Sequence, residues 1–178
     1  MIILSRPFFD FKFLFKPRSK YSIKSSELIF YSHGRFAFLD ALRLFKVMPR
    51  QTVIIPAYIC ESFVEPLRNA GYTIVFIDID PDLNLNPKIV VDAVQENNAK
   101  AVLVVNYFGF SSNVSELVDI LNPLGILVIE DCCHSFLSHG NGRIGGFSGN
   151  ATIYSMRKTL PIPDGGALRI NAKHFKIE

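Results

Sequence analysis

Short apolar runs alternate with amphipathic segments along most of the chain. The runs are rich in β-branched residues and nearly unbroken, which is typical of strands that are buried on both faces of a sheet. These predicted strands are Thr52–Ile55, Thr73–Ile79, Ala101–Phe108, Ile126–Ile129, Ala151–Met156 and Gly166–Asn171.

Between these runs, apolar residues recur at the three- and four-residue spacing of a helix face. The helical sets are Phe38, Ala41, Leu42 and Phe45; Phe63, Val64, Leu67 and Ala70; Val90, Ala93 and Val94; and Val114, Leu117, Val118 and Leu121. Each set forms one apolar stripe, so we expect a helix at each that packs on the sheet.

Residues that favour helix ends stand at the borders of these segments. Asn86–Pro87 predicts an N-cap followed by proline at the first helical position. Asn113, with Glu116 three residues later, has the spacing of a capping box. Gly71 and Gly125 stand where the glycines that end helices are common.

This alternation predicts an α/β fold in three layers, a mostly parallel sheet with helices on both faces, joined by right-handed crossovers. The chain has neither internal repeats nor a linker. Because ligands of such sheets bind beyond the carboxyl ends of the strands, the residues after each predicted strand are the first candidates for a functional site.

Composition and charge exclude several classes of protein. The 178 residues are 49% hydrophobic, which excludes intrinsic disorder, and no apolar run approaches the ~18 residues of a membrane-spanning helix. A formal net charge of +3 is too small to indicate nucleic-acid binding. Three cysteines, two of them adjacent, argue against a disulfide framework and favour a reducing compartment, the cytoplasm.

The N-terminal segment is apolar but does not have the pattern of a secretion signal. Arg6, Asp10 and Lys12 interrupt the segment Met1–Phe15, and no small-residue cleavage site follows it. We therefore expect an arm that is not secreted and that packs on a partner or on another part of the protein.

Two local motifs have plain structural interpretations. Gly140–Gly146 contains G-x-G-x-x-G, but no strand precedes it and no helix follows, so a turn is favoured over a nucleotide-phosphate site. Cys132–His134 sets three candidate metal ligands side by side, whereas zinc sites use spaced pairs, so no metal is expected. Packing is the favoured role of the two cysteines, with a nucleophilic cysteine as the alternative.

Two charged residues at strand ends are candidates for chemistry. Asp131 follows a buried strand, and its carboxylate either pairs with a cationic ligand atom or is a solvated or capping group. If it faces a ligand, the preceding Glu130 faces the other way. Lys158 follows an apolar strand and is flanked by Leu160–Ile162. Desolvation there would favour the neutral amine, a nucleophile toward carbonyls in Schiff-base chemistry.

Six motifs follow one another along the chain: His33–Leu39, Thr52–Tyr58, Val75–Pro81, Val105–Gly109, Val128–His134 and Lys158–Gly166. In this order they resemble a known family, the DegT/DnrJ/StrS-type aminotransferases. The resemblance implies the fold of the large domain of aspartate aminotransferase-like enzymes, which bind pyridoxal 5'-phosphate. It also implies amino transfer to a keto sugar, usually linked to a nucleotide, or to a similar carbonyl acceptor, with glutamate as the amino donor.

The resemblance also implies the roles of individual residues. Lys158 would form the Schiff base with the cofactor and move a proton, and Asp131 would keep the pyridine nitrogen protonated. His134 would lie beside the 3-hydroxyl of the ring, and Ser155 near the phosphate.

Further residues would complete the cofactor site. The backbone N–H groups of Gly34, Arg35 and Phe36, at the start of a helix, would bind the phosphate. Tyr58 is the candidate for stacking on the ring, because the family's usual aromatic position holds Cys60.

The resemblance divides the chain into an N-terminal arm, residues 1–31, and a partial cofactor-binding large domain, residues 32–178. Family members are longer and continue into a small C-terminal domain, and their active sites lie at the interface of a homodimer. The alternative hypothesis is a truncated, non-catalytic unit that binds cofactor or serves as an interaction module.

Overall fold

A computed structural model describes residues 27–136, 138–140, 143–144 and 146–171. Most of the predicted N-terminal arm, up to residue 26, lies outside the described residues. Residues 141, 142 and 145 of the glycine-rich segment also lie outside them.

The order of the elements follows the predicted alternation of strands and helices. The strands are β1 (Ile29–Tyr31), β2 (Thr52–Pro56), β3 (Thr73–Ile77), β4 (Ala99–Val105), β5 (Leu127–Asp131), β6 (His139–Gly140), β7 (Arg143–Ile144), β8 (Ala151–Ser155) and β9 (Gly166–Ile170). The helices are α1 (Gly34–Leu44), α2 (Glu61–Asn69), α3 (Pro87–Glu96) and α4 (Val114–Leu121).

Seven of the strands form one sheet in the order β1-β9-β8-β5-β4-β2-β3. The pairs among β3, β2, β4, β5 and β8 are parallel, whereas β9 runs antiparallel to both β8 and β1. The short strands β6 and β7 pair with each other. The mostly parallel sheet of the predicted α/β fold is therefore confirmed.

Alternate residues of the central strands pack on opposite layers of helices. On one face, Leu103 and Ile129 belong to a core that includes residues of α1 and α2. On the other, Val104 and Val128 belong to a core that includes residues of α3 and α4. Because both faces are covered, the strands read in the sequence as nearly continuous apolar runs.

Most predicted helix ends are confirmed, and one is wrong. The Asn86 side chain accepts a hydrogen bond from the Lys88 N–H, and Gly71 and Gly125 have positive φ angles of 83° and 71°. The Asn113 side chain caps no N–H of α4, since its amide donates to the Leu85 carbonyl and to Glu116. A tertiary contact there replaces the predicted capping box.

Several strands have bounds that differ from the prediction by one or two residues, and two differences are larger. The strand predicted to reach Phe108 ends at Val105, because Tyr107–Gly109 form a 3₁₀ turn. Ile29–Tyr31, which the sequence placed in the arm, form the edge strand β1, since three residues are too few to show a period. No helix in the described ranges has the length and apolar character needed to cross a membrane.

Candidate functional site

A pocket of about 380 Å³ opens beyond the carboxyl ends of β2, β4, β5 and β8. Its lining includes Gly34, Arg35, Tyr58, Asp131, His134, Ser155 and Lys158, joined by His33, Ile59, Cys60, Ser62, Phe63, Val105, Tyr107, Phe108 and Cys133. All the candidate site residues from the sequence except Phe36 therefore line one pocket, at the sheet edge where the sequence analysis expects it.

Asp131 is the last residue of β5 and lies at the base of this pocket. It is only 6% exposed, so the interpretation as a solvated surface carboxylate is wrong. One carboxylate oxygen accepts a hydrogen bond of 2.7 Å from the Cys133 N–H, which fixes the side chain in a local turn. A buried carboxylate that faces a pocket suits a cationic ligand atom.

Glu130 points to the opposite face of β5, as predicted, because successive side chains of a strand alternate. Its carboxylate is 3% exposed and accepts hydrogen bonds from the Asn106 amide at 2.7 Å and from three backbone N–H groups. Those backbone donors belong to Gly146, Ser148 and Gly149. The loop before β8 is thereby tied to the ends of β4 and β5.

Lys158 lies at the end of the 3₁₀ turn, Met156–Lys158, that follows β8. The predicted desolvation is wrong: Lys158 is exposed, and so are its apolar neighbours Leu160 and Ile162. Apolar residues that are themselves exposed exclude little water from an amine. Lys158 nevertheless lines the pocket. Its positive charge opposes the rise that burial causes in the pKa of Cys133, and it adds to the lowering that burial causes in the pKa of His134.

His134 stands at the mouth of the pocket beside two opposite charges. Partial burial lowers the pKa of its imidazole, the Lys158 ammonium lowers it further, and the Asp131 carboxylate opposes both effects. The ring stacks on Phe108, with a centroid distance of 6.0 Å and an angle of 15° between the planes. Together these effects favour the neutral imidazole, the form that can both donate and accept a hydrogen bond.

Tyr58, Tyr107, Phe108 and His134 form a row of rings along one wall, here called the aromatic wall. Neighbouring rings of this wall lie 5.4 to 6.2 Å apart between centroids. The Tyr107 hydroxyl donates to the Tyr58 carbonyl at 2.8 Å, and burial raises the pKa of that hydroxyl well above its ordinary value. The sequence assigned roles to Tyr58 and His134 but none to Tyr107 and Phe108, although both belong to the Val105–Gly109 motif at the end of a predicted strand.

The N-terminus of α1 forms the side of the pocket nearest β8 and β9. Gly34 and Arg35 line it, whereas Phe36 does not. The Phe36 N–H donates to the His33 carbonyl at 3.1 Å, and its role in binding the phosphate stays a prediction. A Cβ at Gly34 would lie 2.8 Å from the Cys133 sulfur, and one at Gly166 only 2.3 Å from the His33 carbonyl carbon. Two glycines thus allow the helix start to lie against the sheet.

The remaining candidates fall into buried and exposed positions. Ser155 is buried at the end of β8 and lines the pocket, and Cys60 is exposed at its rim. Cys132 and Cys133 are buried, as expected of packing residues, and burial raises the pKa of both thiols well above the ordinary value. Among the residues that the structure describes, no group of three or more His, Cys, Asp or Glu could hold a metal ion.

Comparison with known proteins gives a consistent result. The model of the DegT/DnrJ/EryC1/StrS aminotransferase family matches residues 20–176. GDP-perosamine synthase of Escherichia coli O157:H7 is 26% identical over 154 residues, which are 82% of this chain and 42% of that protein. This chain thus spans about two fifths of the length of that curated relative.

Solved structures share the fold. A DegT DnrJ EryC1 StrS aminotransferase from Brucella abortus is 25% identical with a TM-score of 0.71, over 82% of this chain and 42% of that one. NtdA from Bacillus subtilis, solved with bound cofactor PMP, is 23% identical with a TM-score of 0.69, over 83% of this chain and 34% of that one. The aminotransferase fold that the resemblance implies is therefore confirmed.

Proposed function

Because the chain belongs to the DegT/DnrJ/EryC1/StrS aminotransferase family, we propose that it takes part in amino transfer to a keto sugar with pyridoxal 5'-phosphate as cofactor. The sugar is a nucleotide-linked one, a class that the name of the Escherichia coli relative, GDP-perosamine synthase, supports. Glutamate is the amino donor that the resemblance implies.

The observation on which this proposal depends is the meeting of three groups in one pocket. Asp131, Lys158 and the start of α1 come from distant parts of the chain and line the same cavity. A flat cationic ring with an aldehyde and a phosphate needs a carboxylate, an amine and a set of N–H donors. The buried Nδ1 of His33, which has no hydrogen-bond partner, adds one more polar atom on the phosphate side. The residues present fit this cofactor.

When bound, pyridoxal phosphate supplies an aldehyde for covalent attachment and a ring that accepts electron density from the substrate. The Asp131 carboxylate would hold the protonated ring nitrogen and keep its proton in place. The Lys158 amine would hold the cofactor covalently and would move a proton at the carbon that receives or loses nitrogen. Turnover requires that Lys158, exposed in this chain, be shielded from water.

Other residues of the pocket bind and orient. His134, whose neutral form is favoured by burial and by the Lys158 charge, donates to or accepts from the ring hydroxyl. The N–H groups of Gly34 and Arg35, the positive end of α1, bind the phosphate, and the Ser155 hydroxyl adds a donor. Tyr58 lies on the aromatic wall, where its ring can stack on the cofactor.

We also propose that the chain works as a homodimer in the cytoplasm, with residues 32–178 as part of the cofactor-binding domain. Large apolar side chains are exposed in the pocket, at Tyr58 and Phe108, and in the segment after Lys158, at Leu160 and Ile162. A second subunit would cover them. All three cysteines are free, which suits a reducing compartment.

The test is covalent attachment of the cofactor at one residue. The purified chain is mixed with pyridoxal phosphate, reduced with borohydride, digested and analysed by mass spectrometry. We expect the adduct on Lys158, its complete loss in Lys158→Ala and Lys158→Arg, and no change in Lys88→Ala, which removes an exposed lysine of α3. An adduct that persists in Lys158→Ala, or none in the unaltered chain, contradicts the proposal.

A second candidate, a cofactor-binding unit without turnover, is favoured by the exposure of Lys158. An amine in water is protonated and is a poor nucleophile and base. Addition of glutamate to the cofactor-loaded chain separates the two functions. Conversion of the bound cofactor to its amine form, followed by absorbance, supports catalysis, and an unchanged spectrum supports the non-catalytic unit.

A further inference from the structure

The turn after β4 has an unusual backbone at an aromatic residue. Phe108 has φ 54° and ψ 17°, in the left-handed region that bulky residues rarely adopt. Such conformations persist where the surrounding structure holds them, and they are concentrated at functional sites.

Contacts that do not involve the Phe108 ring hold this turn on both sides. The Phe110 N–H donates to the Tyr107 carbonyl at 2.9 Å. The Asn106 side chain accepts from the Ser112 N–H at 2.9 Å and donates to Glu130 at 2.7 Å. The turn therefore has its own supports, and the left-handed backbone fixes the direction of the Phe108 side chain.

The Phe108 ring adds little to the core and contributes mainly to the pocket. Phe108 is 61% exposed, yet it lines the pocket and stacks on the His134 imidazole at 15° and 6.0 Å. On its other side it meets the Tyr107 ring at 6.2 Å. Burial of the Phe108 ring stabilises the fold little, because the residue is mostly exposed, and so burial does not explain the strained backbone. The contact of the ring with His134 remains as the explanation.

We infer that Phe108 is a positioning residue, which holds the His134 imidazole in the orientation in which it meets the ring hydroxyl of the cofactor. This inference rests on the proposed function. Stacking restricts rotation of the imidazole about its bond to Cβ and shields one of its faces from water. A merely structural Phe108 would affect the stability of the turn and leave the titration of His134 unchanged.

The experiment is an NMR titration of His134 in the full chain without cofactor. Its signal among the four histidines is assigned with a His134→Gln variant. Phe108→Gly removes the ring and suits the left-handed backbone. Lys158 and Asp131, the charged groups that act on His134, remain in place. We expect the pKa of His134 to rise by a few tenths of a pH unit, toward its ordinary value, because water reaches the exposed face of the imidazole.

Matched variants separate the contact from general damage. Phe110→Ala removes a ring that is 69% exposed, lies two residues further on and is not part of the pocket, and it should leave the titration unchanged. Phe108→Tyr keeps the stacked ring and should titrate as the unaltered chain does. If the glycine variant folds poorly, Phe108→Leu replaces it, because leucine removes the aromatic ring that stacks on His134 but keeps an apolar side chain at this position.

Addition of pyridoxal phosphate then tests the link to the cofactor. We expect Phe108→Gly to bind pyridoxal phosphate several-fold more weakly than the unaltered chain. Phe108→Tyr and Phe110→Ala should bind it as tightly as the unaltered chain does. An identical His134 titration in Phe108→Gly and the unaltered chain overturns the inference. If the titration shifts but no variant and no unaltered chain binds the cofactor, the contact is real and the proposed function is wrong.

Discussion

Glu130 and Asp131 are neighbours in β5 and carry the same charged group, yet their surroundings differ completely. Glu130 accepts hydrogen bonds from one side-chain amide and three backbone N–H groups, and these donors come from two other segments. The Asp131 carboxylate accepts hydrogen bonds from Cys133, two positions further on in the same segment, and faces a cavity. The alternation of a strand places the first carboxylate in the scaffold and the second in the site.

The difference separates stability from function at one point of the chain. On the Glu130 side, donors of the protein itself satisfy the carboxylate. On the Asp131 side, the His33 Nδ1 has no partner, Lys158 is exposed and aromatic rings face the cavity. Groups left without protein partners at the mouth of a pocket are available to a ligand. The comparison predicts that the two carboxylates respond to substitution in opposite ways.

The largest effect is expected from Glu130→Gln. The glutamine has nearly the same shape, but its NH₂ group would face N–H donors and leave some of them without an acceptor. We expect the free energy of unfolding to fall by about 3 kcal/mol, measured by urea denaturation. Glu65→Gln, at an exposed position of α2, is the control and should change stability little. Equal stability of the two variants would show that the network around Glu130 does not stabilise the fold.

A smaller effect, and of the opposite kind, is expected from Asp131→Asn. The amide oxygen can still accept from the Cys133 N–H, so the unfolding free energy should change by less than about 1 kcal/mol. Affinity for pyridoxal phosphate should fall by about tenfold to a hundredfold, because a charge-assisted hydrogen bond to the ring nitrogen is worth about 1.5–3 kcal/mol. Fluorescence titration with the cofactor measures this loss.

Asp119→Asn, at an exposed position of α4, is the control for the removal of one negative charge. It should leave both stability and cofactor affinity unchanged. If Asp131→Asn instead unfolds the chain and spares cofactor affinity in the folded fraction, then Asp131 belongs to the scaffold and the comparison fails.

The sequence was sufficient where local pattern and tertiary packing agree. The central strands, the helices and the opposite directions of Glu130 and Asp131 follow from periods that persist when the chain folds. The place of the site follows from the order of strands, because the carboxyl ends of parallel strands meet at one edge. Asp131 and Lys158 could therefore be assigned to one pocket before any coordinates.

The sequence was insufficient where distant contacts decide the outcome. Lys158 was expected to be desolvated because Leu160 and Ile162 are apolar. Their apolar character does not show whether other residues of the chain pack on them, and in the structure both are exposed. The Phe36 N–H is occupied because the first turn of α1 bonds back to His33. The Phe108 ring reaches His134 because the Phe108 backbone is left-handed. That conformation is expected at glycine, so the sequence gives no sign of it at a phenylalanine.

The smallest effect, and the finest test of the comparison, concerns the two buried thiols beside these carboxylates. Burial is the main cause of the raised pKa of both thiols. The second cause is the Glu130 charge for Cys132 and the Asp131 charge for Cys133, and the Lys158 charge opposes the rise at Cys133. A thiolate is the reactive form, so raised pKa values shift alkylation of both to higher pH, and the exposed Cys60 should react first.

Removal of the Asp131 charge should therefore act on one thiol more than on the other. In Asp131→Asn, the pKa of Cys133 falls, and its alkylation at a fixed alkaline pH should become a few times faster. Cys132, for which Asp131 is the last of the causes, should change less. Rates are measured by mass spectrometry in a Cys60→Ser background, with Cys132→Ala and Cys133→Ala to separate the adjacent sites. An equal acceleration of both thiols would mean that the substitution loosens the whole strand end, and that the two faces of β5 are not independent.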